Sequence, residues 1–296
     1  MREFGPDRRS ELVVYDLATA QSQVVFDTSD LIEAPNWTLD RAWLIYNAAG
    51  RLFRISPDGR DGPHLITTDP RADFNNDHCL DPDGVHFYGS AWDGHIYRCP
   101  IAGGTPVRVS PTTRDGDGFR FYLHGVSPEG RLLSFVGLIP RDAGAQTWIC
   151  TLNPYTGDIR TLTDGAYSVD GPEFSHDGTR IYYNAEQAGA PKGAAQILSM
   201  TVDGTDIQQH TDDARVNWFP HLSADGRWMV YLSYPTGTVG HPADCDVRIM
   251  LYDLTTHTHT EVDRFNGGQG TINVNSWCPT SQRFAYVRYP QTKLRV

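Results

Sequence analysis

Apolar and polar residues alternate with a period of two in short runs along almost the whole chain: RAWLIYNA from Arg41, VHFYGSA from Val85, RLLSFVGL from Arg131, TRIYYNAE from Thr179, RWMVYLSY from Arg227 and QRFAYVRY from Gln282. This period is that of a β-strand burying one or both faces. Each run is followed by a second strand-like segment (GRLFRISP, GHIYRCPI, TWICTLNP, QILSMTVD, VRIMLYDL), and usually by a third, such as PVRVSP or DIRTLT.

A repeated turn unit precedes every run. It reads PNWTLDR from Pro35, HCLDPDG from His78, HGVSPEG from His124, PEFSHDG from Pro172, PHLSADG from Pro220 and NSWCPTS from Asn275. The turn positions Asp40, Asp83, Glu129, Asp177, Asp225 and Thr280 are 43 to 55 residues apart. The Asp-Gly pair supplies the positive φ that a tight hairpin needs. Four strands at this period predict the blade of a β-propeller, repeated six times.

The sixth unit has its inner hairpin near the C-terminus and then runs out of chain, whereas ELVVYDLA and QSQVVFDT form an orphan strand pair near the N-terminus. The expected fold is therefore all-β, a single six-bladed propeller in which residues 11–28 complete the last blade and remove two exposed edges. Expected blade limits are 30–70, 71–111, 119–164, 167–212, 215–264, and 270–296 with 11–28.

Composition narrows the function. With 14 Tyr, 12 Phe, 7 Trp and 47 Gly plus Pro, the 296 residues suit short strands and tight turns. The formal charge of −11, with Lys and Arg scattered, predicts no nucleic-acid partner. No stretch reaches eighteen apolar residues and the N-terminus MREFGPDRRSELVVYDL has no apolar core, so the expectation is no membrane span, no signal peptide and a cytoplasmic location. Cys79, Cys99, Cys150, Cys245 and Cys278 lie far apart, as reduced core thiols would.

The units HCLDPDGVHF, HGVSPEGRLL, PEFSHDGTRI and PHLSADGRWM resemble the WD-like repeat of TolB-related propellers, and the resemblance covers nearly the whole chain. That group includes the periplasmic Tol translocation propeller, which binds protein partners, and cytoplasmic oligogalacturonate lyases, which cleave uronate disaccharides with a metal held at the propeller centre. The chain departs from both. It lacks the N-terminal domain and export signal of the first, and it is shorter than the second, whose His/Gln metal cluster has no residue-by-residue match. The resemblance thus implies a central pocket without naming its chemistry.

In a propeller the innermost strand of each blade lines the central channel, so residues just before the turn unit are the candidates for chemistry. Here they are polar: Asn36; Asn75, Asn76, Asp77 and His78; Tyr122 and His124; Asp170 and Glu173; Trp218 and His221; Gln269, Asn273 and Asn275. Imidazoles and carboxylates suit a divalent metal such as Mn or Ca, and amides with aromatic planes suit a polyhydroxylated ligand. The expected metal ligands are His78, His124, Glu173 and His221, with His124, His221 and Arg215 as catalytic groups. Asn36, Asn76, Asp77, Arg71, Arg120, Tyr122, Trp218, Gln269 and Asn273 are the expected ligand-binding residues, the arginines pairing with a substrate carboxylate. The remaining histidines, His241 among them, read as surface or structural.

No nucleophile elbow, phosphate loop or H-E-x-x-H motif is present. Three functions fit: a lyase or epimerase that abstracts a proton from a sugar or sugar acid with metal assistance; a non-catalytic protein- or peptide-binding module; and a sugar binder without turnover.

Overall fold

The computed structural model describes residues 4, 7–114, 116, 118–142, 144–187 and 190–291. The expected last-blade segment 292–296 lies outside them.

Five four-stranded antiparallel sheets follow one another along the chain, each with its strands in sequence order. Blade 1 is built from Ile32–Trp37, Leu44–Ala48, Arg51–Ile55 and His64–Leu65. Blades 2 to 5 begin on the inner strands Phe74–Leu80, Arg120–Val126, Val169–Phe174 and Val216–Leu222. The sixth sheet joins Arg283–Arg288 to Ser10–Asp16, which pairs in turn with Gln21–Thr28. Its register sets Glu11 opposite Arg288 and Asp16 opposite Arg283, so the N-terminal strand closes the ring. Its innermost position is filled by the irregular segment 271–278, tied on through Val287 N–H to Thr271 O and Ala285 N–H to Ser276 O. The protein is a six-bladed β-propeller. No helix among the described residues is long and apolar enough to cross a membrane.

The turn unit now has a mechanism. In blades 1, 4 and 5 the Thr38, Ser175 and Ser223 hydroxyls donate to the carboxylates of Asp40, Asp177 and Asp225, which also accept the backbone N–H groups of Ala42, Thr179 and Arg227. This is the local side-chain capping that favours Ser, Thr and Asp in turns. The left-handed position that follows is glycine in four blades. It is Arg41 in blade 1 and Ser281 in blade 6, at φ of 65° and 58°.

Between the blades, alternating apolar side chains interlock. Phe119, Phe121 and Phe135 pack edge-on and tilted between blades 2 and 3, and Trp277, Phe284 and Tyr286 do the same between blades 5 and 6.

Candidate functional site

The inner strands are not regular. Each of the five regular ones slips register partway along, at Glu33/Asn36, Phe74/His78, Leu123/Gly125, Asp170/Glu173 and Trp218/His221. A bulge of this kind turns side chains off the sheet plane and frees backbone groups that need partners. The second strand of the preceding blade supplies them. Asn47 donates to the carbonyls of Phe74 and Asn75, Leu123 N–H donates to Ser90 Oγ, the Ser134 hydroxyl donates to Pro172 O, and Phe219 N–H donates to Asn184 Oδ1. Ala34 and Phe219 are held at φ of 53° and 56°, a strained region for residues with a Cβ.

At one end of the channel the bulges bring Asp77, His124 and Asp170 into a cavity of about 260 Å³. His124 Nε2 lies 3.1 Å from Asp170 Oδ1, and its Nδ1 lies 3.0 Å from the Asn273 carbonyl. Asp170 Oδ2 faces a second imidazole, His241 Nε2, at 3.4 Å, and His241 Nδ1 meets Gln269 Oε1 at 2.5 Å. Both nitrogens of each ring thus face acceptors, which only an imidazolium satisfies. Burial works against the charge on His124, but the Asp170 hydrogen bond and the Asp77 and Asp170 charges outweigh it and raise its pKa to about 9. His241 is raised by the same balance. Asp170 is held well below the usual carboxylate range, the two histidine hydrogen bonds overcoming its burial.

Asp77 behaves differently. It is nearly inaccessible, and its Oδ2 accepts one hydrogen bond from Asn75 Nδ2 at 3.0 Å. Burial, reinforced by the Asp170 charge, lifts its pKa to about 6 in spite of the nearby histidines. A carboxyl poised there exchanges protons readily near neutral pH.

Asn76, Asp77, Tyr122, His124, Gln269 and Asn273 therefore meet at this mouth, as the sequence pattern predicts. His241, which the sequence reads as surface or structural, lines the same cavity. It rides on the connection between Trp228–Tyr234 and Cys245–Asp253, which is clamped over the channel. A Cβ on Gly268 would lie 2.0 Å from Pro242 O, and one on Gly193 would lie 2.6 Å from Thr238 O. The usable signal is the length of that connection, PTGTVGHPAD, against the tight turns of blades 1 to 3; the connection 186–195 of blade 4 is as long.

Deeper in the channel lies a belt of different character. Glu173 Oε2 meets His221 Nδ1 at 2.6 Å, while Glu173 Oε1 accepts from Leu222 N–H and from Asn275 Nδ2. His221 Nε2 is held by the Ile272 carbonyl at 2.5 Å. His78 Nδ1 pairs with Asn36 Oδ1, and Asn36 Nδ2 donates to Asn275 O at 2.7 Å. Burial lowers the His78 pKa to about 3.

The expected metal set is thus divided. His124 belongs to the mouth, His221 and Glu173 hold each other, and His78 stands apart. With both His221 nitrogens and both Glu173 oxygens engaged, His221 and Glu173 do not fit a metal, whereas the buried Nε2 of His78 has no hydrogen-bond partner among the described residues. Among the described residues, one group has ligand atoms all within 4.8 Å of one another: Asp81, Asp83 and His86. Arg98 bridges both of those carboxylates, and Asp83 also caps the Val85 and His86 N–H groups.

The arginines separate as well. Arg215 lies along its own blade, donating to the Ser233 hydroxyl and carbonyl at 3.0 and 2.9 Å, and Arg71 pairs with Asp73 at 2.7 Å, so neither lines the mouth. Arg120 stands exposed beside Tyr122. The Trp218 ring is buried against His241, their centroids 4.7 Å apart, rather than presented to the cavity.

No family model matches the chain. It is 36% identical over 294 residues to the uncharacterized protein Atu1656 of Agrobacterium fabrum, spanning 96% of this chain and 94% of that one. A solved candidate TolB from Agrobacterium tumefaciens superposes on it with a TM-score of 0.85 and 35% identity, over 96% of this chain and 99% of that one. The chain belongs to this TolB-like propeller family. An oligogalacturonate lyase in complex with manganese shares the fold with the TolB-like chain at a TM-score of 0.56 and 13% identity, covering 88% of this chain and 68% of the lyase.

Proposed function

We propose that the channel mouth of this TolB-like propeller binds a small polyhydroxylated ligand of the sugar or sugar-acid class, and that Asp77 exchanges a proton with it. The observation that carries this reading is Asp77 itself: a carboxyl with a pKa lifted to about 6, facing a cavity beside two histidines fixed by one carboxylate. The amide of Asn76 suits ring hydroxyls, and Trp92 and Tyr122 offer planes to a sugar face. The positive charge on His124 and His241 would stabilise negative charge developing on the ligand as Asp77 removes a proton. No step is routed through a metal: His221 and Glu173, two of the residues expected to hold one, hold each other. The likeness of fold to a lyase agrees with this reading and adds no residue to it.

The test is solvent deuterium exchange into uronic acids followed by NMR, with ligand affinity measured in parallel. Asp77→Asn should slow exchange by about a hundredfold or more while changing affinity only a few-fold. Equal exchange in the variant, or no binding of any sugar by the unaltered protein, would overturn the proposal; the second result would turn attention to a docking role for protein partners.

A further inference from the structure

Beyond the belt the channel opens a second time, at the end where the capped turns lie. The residue just before the Ser, Thr, Asp or Cys of each turn unit is apolar in every blade: Trp37, Leu80, Val126, Phe174, Leu222 and Trp277. Together, one from each blade, they form a collar around a cavity of about 260 Å³. Leu39, 45% exposed on the turn of blade 1, carries the apolar wall out to the rim.

The polar groups on the lining are already paired inside the protein. Asn36 Nδ2 donates to Asn275 O and Asn36 Oδ1 pairs with His78 Nδ1, while Asn275 Nδ2 donates to Glu173 and to Leu222 O and Asn275 Oδ1 accepts from Trp277 N–H. Both Glu173 oxygens are occupied, both His124 nitrogens face acceptors, and the Ser175 and Ser223 hydroxyls donate to the turn carboxylates. Of the rest, burial keeps the Cys79 thiol protonated, and His176 stands exposed at the rim. A hydroxylated or charged ligand would give up hydrogen bonds to water here and regain few.

What the cavity offers instead is aromatic and aliphatic surface held in place. Trp277 Nε1 donates to His221 O at 3.0 Å, and the Arg283 guanidinium lies 5.4 Å from the centre of the Trp37 ring. Walls fixed in advance lose little freedom on binding, so more of the buried apolar area appears as affinity. An apolar cavity of about 150 Å³ is enough for benzene, so this one has room for a bicyclic ring. The His124 imidazolium on the lining favours an aromatic ring, with its electron-rich face, over a saturated one.

From the six-blade collar, its volume and its internally paired polar groups, we infer that the turn-side end of the channel is a second binding site, for a small uncharged aromatic compound of one or two fused rings. The inference stands apart from the reading of the mouth, and either can fail alone.

The test is a titration of 5-fluoroindole into the full chain followed by fluorine NMR, with displacement by indole, cyclohexanol, indole-3-carboxylate and tryptamine. Indole should bind with a dissociation constant of about 0.1 mM or below, and cyclohexanol and both charged analogues about tenfold or more weakly. Ala224→Phe, which fills the cavity from a half-buried turn position, should weaken indole about tenfold, and Leu39→Asp on the rim about threefold. Trp92→Ala, at the mouth, should leave indole affinity within about twofold. No saturable binding of 5-fluoroindole would overturn the site. Tighter binding of either charged analogue than of indole, or equal binding of cyclohexanol, would overturn the ligand class. Loss of binding in Trp92→Ala but not in Ala224→Phe would put the ring at the mouth and overturn the turn-side pocket. Thermal melts, expected to match the parent, separate loss of binding from loss of fold; Leu39→Asp, at an exposed position, keeps the test decisive if Ala224→Phe proves unstable.

Discussion

In the belt, Glu173 has both oxygens occupied, by His221, Leu222 N–H and Asn275, and His221 has both nitrogens occupied. At the mouth, Asp77 accepts one hydrogen bond from Asn75 and lines the cavity. Both regions are built from carboxylates, imidazoles and amides on the same inner strands, a few residues apart. Composition cannot tell Glu173 from Asp77; the number of hydrogen bonds each accepts can. A polar group whose every lone pair is met inside the protein ties blades together, whereas one left partly unmet is available to a ligand. His124 lines the cavities on both sides, so the change in character falls at that residue.

The largest effect is expected from Glu173→Ala. It strips acceptors from His221, Leu222 N–H and Asn275 at once, and a loss of about 3–5 kcal/mol in denaturant unfolding is expected. A variant as stable as the parent would mean that the belt is not a brace.

A smaller effect is expected from pH. The pKa of His124 is raised from an unfolded value of about 6.5 to about 9, so its stabilising contribution is complete below 6.5 and is lost as pH rises through about 9. Urea midpoints should fall over that window by an amount equivalent to about 1–3 kcal/mol. Asp77, raised above its unfolded value, should add its own decline at lower pH, between roughly 4 and 6. His124→Gln should flatten the upper slope; an unchanged slope would place the titrating group elsewhere.

The smallest effect sharpens the link between bulge and mouth. Asn47→Ala removes two hydrogen bonds to the backbone beside Asp77 and should cost about 1–2 kcal/mol. Amide exchange at Asn76 and Asp77 should rise, with the other blades unaffected.

The fold was legible because it rests on local rules repeated six times: the capped turn, the period of two and the orphan N-terminal strand pair each point to the same ring. Part of the site was legible for the same reason, since inner-strand positions follow from the repeat, and Asp77, His124 and Asn273 could be placed on the channel. Depth along the axis was not. A bulge displaces neighbours such as Asp77 and His78 to different levels, and no periodicity encodes that. His241 escaped because it stands off the inner strands, brought in by a connection clamped on Gly268. Arg215 misled because a residue next to an inner strand can still run outward along its blade.

The closing strand pair has a mechanical consequence. Ser10–Asp16 and Arg283–Arg288 run antiparallel, with Glu11 beside Arg288, so both ends of the chain leave the ring at one corner. Tension between the ends would load these hydrogen bonds one after another, as in a zipper, rather than all together in shear. The seam is where a pulled ring should open first, and two fusion partners attached at the ends would sit side by side.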